Sequence, residues 1–124
     1  MLLNAISWVE IPVADFDRAK KFYSRIFDYD MPEIQMNNRM GFLLFDQAAG
    51  GIGAAIVQGP GYLPGPGGAK VYLNAGKDLN TVLKRIPDAG GKVLLEKMPV
   101  SAELGFIAMF EDTEGNYLML HSSE

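Results

Sequence analysis

The stretch ISWVEIPVADFDRAKKFYSRIF, residues 6–27, predicts a strand, a short acidic turn and an amphipathic helix. Within residues 7–13, β-branched apolar side chains occupy the odd positions 9, 11 and 13, which is the period of a strand with one buried face. Asp15 stands where a helix N-cap is expected, because its carboxylate can accept from the free amides of the first turn. Apolar residues then recur at helical spacing, at Phe16, Ala19, Phe22, Tyr23, Ile26 and Phe27. We expect the helix to cover the odd face of the strand and to leave Trp8 and Glu10 on the other face.

The composition sets the outer bounds. A chain of 124 residues has the length of one domain, and a hydrophobic fraction of 48% is enough for a core. The absence of cysteine excludes disulfides, thiolate metal sites and a cysteine nucleophile. A net charge of -4 argues against a nucleic-acid partner, which requires clustered Lys and Arg. The first residues show no basic leader, and no stretch approaches the ~20 apolar residues that cross a bilayer. We therefore expect a cytoplasmic protein with no membrane partner.

A segment rich in Gly and Pro divides the chain nearly in half. The sequence GPGYLPGPGG, residues 59–68, cannot continue a helix or a central strand and predicts an exposed linker. Its two large side chains, Tyr62 and Leu63, have two interpretations. They form either a lid over a pocket mouth or a surface clamp that fixes the linker, and we favour the clamp.

The two halves repeat one order of elements. The first half continues with strands near residues 34–36, over 40–46 and over 52–58. The second half predicts a strand over 71–75, a helix after Asp78 that stops at Pro87 and Gly90, and strands over 92–98, 105–112 and 116–122. GFLLFD at residue 41 matches GFIAMFED at residue 105, and Asp15 matches Asp78 at nearly the same offset. The sequence predicts an α+β fold of two βαβββ modules, residues 1–58 and 69–124, joined by the linker 59–68.

Three segments also carry a resemblance to a known family. They are WVEIPVADFDRAKKFY near the start, GGKVL after the second helix and FEDTEGNYLMLHS at the end. Together they resemble the glyoxalase, bleomycin-resistance and extradiol dioxygenase superfamily, the vicinal oxygen chelate fold, over essentially the whole chain. The chain is most similar to a glyoxalase-like branch whose members mostly lack an assigned substrate. The resemblance implies curved sheets around a cavity, commonly with a divalent metal, and a homodimer.

The metal positions implied by the resemblance hold unsuitable residues. The opening strand of each module places Trp8 and Lys70 there, and the terminal glutamate position falls on Met119. Indole and thioether groups cannot replace hard oxygen or imidazole donors, and a protonated lysine repels a cation. The fourth position lies on the strand ending at Gln58, where the alignment is loose. We therefore expect no cofactor of the usual kind, with a rebuilt divalent-metal site as the alternative.

Period-two geometry assigns a set of side chains to the inward face. The candidate ligand-binding residues are Trp8, Glu10, Gln58, Lys70, Tyr72, Asn74, Tyr117, Met119 and His121. Aromatic walls with a few polar groups are typical of a small-molecule pocket. Glu10 is the first candidate for a catalytic base, and its alternative role is an ion pair at the cavity rim. His121, the only histidine, is a second candidate base or a metal ligand with Glu10 and Gln58, unless it is a rim residue without chemistry.

Three classes of function follow from this set. The one we favour is a glyoxalase-like protein that binds or sequesters a small molecule without a metal. The second is a lyase, isomerase or epimerase that uses Glu10 as its base, with or without a non-standard divalent metal. The third is a partner-binding module with an occluded cavity, in which Trp8 is buried. Fold alone does not choose between them.

Overall fold

The computed structural model of the chain describes residues 2–43 and 45–124. Over these residues the elements run in the order β1 (Val9–Pro12), α1 (Phe16–Ile26), β2 (Glu33–Gln35), β3 (Arg39–Phe42), β4 (Ala54–Gln58), β5 (Tyr72–Asn74), α2 (Asn80–Leu83), α3 (Ile86–Ala89), β6 (Lys92–Ser101), β7 (Gly105–Glu111) and β8 (Tyr117–Ser122). No helix among the described residues is long and apolar enough to cross a membrane.

The strands form two four-stranded sheets with the same topology. The first sheet has the order β1-β4-β3-β2, and the second has the order β5-β8-β7-β6. In each sheet the opening strand pairs in parallel with the closing strand, and the other pairs are antiparallel. This arrangement confirms the predicted α+β fold of two βαβββ units. The module boundaries at residues 58 and 69 stay a prediction.

Helix α1 forms as the sequence predicts. The Asp15 carboxylate accepts a 3.1 Å hydrogen bond from the Arg18 amide, which satisfies one of the free donors of the first turn. Asp17 lies near the N-terminus and Arg25 near the C-terminus, where each charge complements the helix dipole. The apolar face of the helix is buried at Phe16, Ala19, Phe22, Tyr23 and Ile26.

The prediction of one continuous helix after Asp78 is wrong. The structure has two helices of four residues each, α2 and α3, instead of one helix that ends at Pro87. Pro87 lies in the first turn of α3, where the missing proline amide has no helical acceptor to lose. The chain leaves α3 at Gly90, whose φ of 104° is left-handed, so the predicted glycine stop is correct.

Several strands begin or end at residues other than those predicted. β3 ends at Phe42 rather than residue 46, and β4 begins at Ala54 rather than 52. Between them Asp46 organises a turn, because its backbone oxygen and its carboxylate accept amides from residues 51 and 49. β6 continues beyond residue 98, its predicted end, to Ser101. It is an edge strand, which tolerates Pro99 because only one side needs amide donors. Met1 of the predicted first module and Leu44 of the predicted strand 40–46 lie outside the described residues.

One hydrophobic core joins the two modules. It contains residues from α1 and the first sheet and from the helices and sheet of the second module, among them Ile11, Phe16, Phe22, Ile56, Leu79, Ile86, Phe110 and Leu120. Each sheet therefore has one face on this core and one face turned away from it. The face turned away from the core and the sheet edges at β1 and β5 remain available for a site.

Candidate functional site

A cleft of about 1070 Å³ runs along the edge strands β1 and β5. Its walls come from β1, β5, the start of β8, the linker and residues near β4, and they include Ile6, Trp8, Glu10, Ile52, Leu63, Lys70, Tyr72, Asn74, Asn116 and Tyr117. This volume is at the upper end of the range for small-molecule sites. A ligand of several rings would fit in it.

Six of the predicted site residues line this cleft. They are Trp8, Glu10, Lys70, Tyr72, Asn74 and Tyr117. They meet there because β1 and β5 occupy the same position in the two sheets and present alternate side chains to the same side. Their roles as ligand contacts stay predictions.

The other three predicted residues lie elsewhere. Gln58 uses its side-chain oxygen to accept a 2.8 Å hydrogen bond from the Phe16 amide, so it supports the start of α1. Met119 is 4% exposed and is paired with Tyr72 across the second sheet. The Nε2 atom of His121 contacts the Leu104 carbonyl oxygen. Met119 and His121 lie on the same face of β8 as Tyr117, as period two requires, but the cleft reaches only the start of that strand.

Trp8 forms an aromatic wall of the cleft. Its ring centroid is 6.1 Å from that of Phe42 and 5.9 Å from that of Phe45, with the Phe45 ring edge-on. These aromatic contacts with Phe42 and Phe45 fix the orientation of the indole ring. Trp8 remains 36% exposed, so its other surface is accessible to solvent. As the only tryptophan, it is an intrinsic fluorescent reporter for this cleft.

The two charged groups of the cleft, Glu10 and Lys70, each have a hydrogen-bond partner in the linker. Glu10 Oε1 accepts a 2.6 Å hydrogen bond from the Tyr62 hydroxyl. This hydrogen bond raises the pKa of Tyr62 above its usual value of 10.0. Lys70 Nζ donates to the Pro66 carbonyl oxygen at 3.2 Å and lies 5.7 Å from the centre of the Tyr117 ring. Both charged side chains therefore contact the linker. Whether Tyr62 acts as a lid or as a clamp stays a prediction.

An acidic turn behind the cleft fixes the two modules together. Glu114 accepts from the Arg18 side chain at 2.7 Å and from the backbone amides of residues 14 and 15. Burial alone would raise the pKa of Glu114, but these hydrogen bonds hold it below its usual value of 4.5. Burial raises the pKa of Asp112 above 3.8, although Tyr23 and Asn116 donate hydrogen bonds to its carboxylate.

The site residues predicted from the sequence do not include those of this acidic turn. The spacing acid, any residue, acid, glycine, asparagine in FEDTEGN was the available signal, because it places two carboxylates and an amide in one turn. Asn116 then extends the turn towards the cleft. Its side chain donates to the Pro12 carbonyl oxygen at 2.8 Å and accepts from the Gly65 amide at 3.0 Å.

The residues of the cleft do not fit a divalent metal. The side chains at the implied positions are an indole, an ammonium and a thioether, none of which is a suitable donor. Within residues 2–43 and 45–124, no three His, Cys, Asp or Glu side chains are grouped so that they could hold a metal ion. Glu10, Gln58 and His121 are each engaged with different protein groups, so the structure does not assemble the rebuilt site either.

Two βαβββ modules with a shared core and a cleft along their opening strands define the class of protein, a two-module α+β protein with a small-molecule-sized cavity. The chain belongs to the Glyoxalase/Bleomycin resistance protein/Dioxygenase superfamily, whose family model matches residues 5–120. This confirms the resemblance found in the sequence.

Individual relatives agree with this assignment. A "Glyoxylase-like domain-containing protein" from Didymella fabae is 29% identical over 126 residues, which is 94% of this chain and 91% of the relative. A glyoxalase-related enzyme from Fulvimarina pelagi superposes with a TM-score of 0.68 at 16% identity, covering 97% of this chain and 88% of its own. The fosfomycin resistance protein FosX from Listeria monocytogenes gives 0.66 at 20% identity, covering 99% and 94%. At such identities the two structures establish the fold alone.

Proposed function

We propose that this protein binds a small molecule in the cleft along β1 and β5 without a metal ion. The observation that carries the proposal is the lining of the cleft. Four aromatic side chains, Trp8, Phe27, Tyr72 and Tyr117, line it, and few polar groups accompany them. Large apolar surface supplies affinity, while a few placed polar groups supply orientation.

The polar groups indicate what the ligand carries. Glu10 offers a carboxylate that already accepts a hydrogen bond from a hydroxyl, so it suits a cationic or hydroxylated group. Lys70 lies beside an aromatic ring and suits an anionic or carbonyl oxygen. The ligand we propose is therefore a largely apolar compound with a donor group at one end.

Catalysis is the second candidate. The relatives include a glyoxalase-related enzyme, and Glu10 is placed within 2.6 Å of the Tyr62 hydroxyl. A carboxylate base beside a protonated phenol is a pair that lyases, isomerases or epimerases use to take a proton from carbon and return it. The relevant assay is exchange of solvent deuterium into a bound ketone.

The occluded, partner-binding alternative is less well supported. It requires a buried Trp8, whereas Trp8 is 36% exposed and lines an open cleft. Two further proposals come from the sequence predictions. The cytoplasmic location rests on the sequence alone. The homodimer is supported by the exposed apolar side chains of the outer edge strands β2 and β6, Ile34, Leu95 and Met98.

The test combines metal analysis with a ligand screen on protein purified without an affinity tag. We expect no stoichiometric metal, and we expect a metabolite library to give at least one saturable change in Trp8 emission. Glu10→Gln should lower the affinity of the protein for that ligand. His121→Ala should leave the affinity unchanged, because His121 lies outside the cleft. A stoichiometric metal that both substitutions remove would contradict the proposal, as would a ligand whose affinity neither Glu10→Gln nor Tyr72→Ala alters.

A further inference from the structure

The linker contains a loosely packed segment that borders the cleft, residues 61–68, which we name the strap. Gly61 and Gly68 bound it, and both have left-handed backbone angles, with φ of 85° and 88°. An added Cβ at Gly61, Gly65, Gly67 or Gly68 would meet no atom within 4 Å. Leu63, Gly65 and Gly67 line the cleft, yet the Leu63 side chain is 85% exposed. The strap therefore borders the cavity without being packed into the core.

Three hydrogen bonds tie the strap to the cleft, and they differ in the exposure of their partners. One of them is an exposed contact, in which Lys70 Nζ donates to the Pro66 carbonyl oxygen at 3.2 Å. At one end the Gly65 amide donates to Asn116 Oδ1 at 3.0 Å. Asn116 is 6% exposed, and its amide nitrogen also donates to the Pro12 carbonyl oxygen and to the Asp112 carboxylate. Because a buried side chain with three partners is costly to release, this end is a fixed anchor.

The other end is held by an exposed contact. Tyr62 donates to Glu10 Oε1, and the carboxylate of Glu10 is open to solvent. Water competes for an exposed hydrogen bond, so its net contribution is small. Glu10 is also the carboxylate of the cleft wall, so the strap and a bound ligand compete for the same acceptor.

We propose that the strap is a gate over the cleft, anchored by Asn116 and latched by the contact between Tyr62 and Glu10. An ammonium or hydroxyl group of a ligand displaces Tyr62 from Glu10 and thereby opens the latch. Ligands that carry such a donor are selected, because only they take the place of Tyr62 at Glu10, whereas a ligand without a donor binds beside the closed latch and gains nothing from Glu10. The gate itself needs no bound ligand, whereas this selectivity rests on the proposed function.

The gate is tested first without any ligand, through quenching of Trp8 emission by acrylamide. Tyr62→Phe removes the latch and keeps the ring, and we expect it to raise the quenching constant at least 1.5-fold. Tyr72→Phe is the matched control, because Tyr72 lines the same cleft and has no contact with the strap in the hydrogen bonds of the described residues. An equal quenching constant for Tyr62→Phe and the native protein overturns the gate.

Amide exchange then locates the anchor. In both the native protein and Tyr62→Phe we expect the Gly65 amide to stay protected, because Asn116 still accepts from it. A Gly65 amide that exchanges freely in the native protein overturns the anchor, and with it the asymmetric gate.

The selectivity is tested with benzylamine and benzoate, which share a ring and differ in the charge of the side group. Removing the competitor for Glu10 should tighten benzylamine binding at least threefold in Tyr62→Phe and leave benzoate binding unchanged. Equal changes for the two probes, or no change for benzylamine, overturn the competition for Glu10. If this binding test fails while Tyr62→Phe raises the quenching constant, the gate is supported and the proposed role of Glu10 is contradicted.

Discussion

The Tyr23 hydroxyl on α1 of the first module donates a 2.7 Å hydrogen bond to the Asp112 carboxylate of the second module. Tyr23 is fully buried, and burial beside this carboxylate raises the pKa of Tyr23 well above 10.0. The phenol is therefore protonated at neutral pH and acts as a hydrogen-bond donor. One buried hydrogen bond thus connects helix α1 of the first module to the turn that precedes β8.

Tyr23→Phe should destabilise the protein by about 1–3 kcal/mol, because it leaves a buried carboxylate with one donor fewer. The free energy of unfolding in urea measures the loss. Tyr72→Phe is the control, since the Tyr72 side chain is 54% exposed and its hydroxyl is accessible to water. A loss below about 0.5 kcal/mol for Tyr23→Phe would show that the contact does not couple the modules.

Arg18→Met should destabilise the protein in a manner that depends on pH. The folded-state pKa of Glu114 lies below its usual value of 4.5, so the stability it contributes is present above pH 4.5 and is lost as the pH falls through the folded-state pKa. Arg18 supplies part of that lowering, so the difference between native and variant proteins should be largest near neutral pH. It should shrink on acidification below pH 4.5.

Urea unfolding of Arg18→Met at several pH values checks this behaviour. Arg25→Met is the matched control, because Arg25 donates to the Asp88 carbonyl oxygen, which does not titrate. Its effect on the free energy of unfolding should be nearly constant over the same pH range. A difference for Arg18→Met that stays constant from pH 7 to pH 3 would contradict the assignment.

The βαβββ order could be predicted because local patterns determine it. The alternation before Asp15 and the helical spacing after it each need only a few neighbouring residues to be recognised, and the structure confirms both. The broken second helix could not be predicted from the same patterns. Pro87 stops a helix or begins one depending on where the preceding turn ends, and packing on the core decides that.

The candidate site could be predicted only in part, for a similar reason. Strand alternation gives the face on which Trp8, Tyr72 and His121 lie, but not how far along that face a cleft extends. The pairing of Glu10 with Tyr62 depends on the path of a Gly- and Pro-rich segment, which no periodicity fixes. The internal repeat is easier to recognise, because Gly41 and Gly105 begin similar sequences at equivalent places in the two modules.

Gly105→Ala should destabilise the protein by roughly 1–3 kcal/mol. Gly105 has a φ of 80°, and an added Cβ would overlap the backbone oxygen of Ser122. Gly41, its partner in the repeat, is required for a different reason, because a Cβ there would overlap the Met31 side chain. Gly67→Ala is the control, since a Cβ at that position meets open space. Thermal unfolding should show Gly105→Ala well below the native protein and Gly67→Ala beside it; equal midpoints would refute the steric argument.

The face of the second sheet that is turned away from the core predicts self-association. Its edge strand β6, at the opposite end of the sheet from β5 and the cleft, exposes Leu95, which pairs with Met109 of β7. Met98 on the same strand is 41% exposed, and the first sheet exposes Ile34 on its corresponding edge strand β2. We propose a two-fold axis that sets β2 of one copy against β6 of another, because it repeats the same contact and closes the assembly as a dimer without covering the cleft.

Met98→Glu should therefore convert the dimer to a monomer, because it places a charge in the middle of an apolar contact. Sedimentation velocity over a range of protein concentrations measures the change, and circular dichroism verifies that the variant is folded. Leu3→Glu is the control, because Leu3 is 96% exposed on the N-terminal segment and lies outside both sheet faces. A native protein that sediments as a monomer at high micromolar concentration would contradict the proposed dimer, and a dimeric Met98→Glu would exclude this face as its interface.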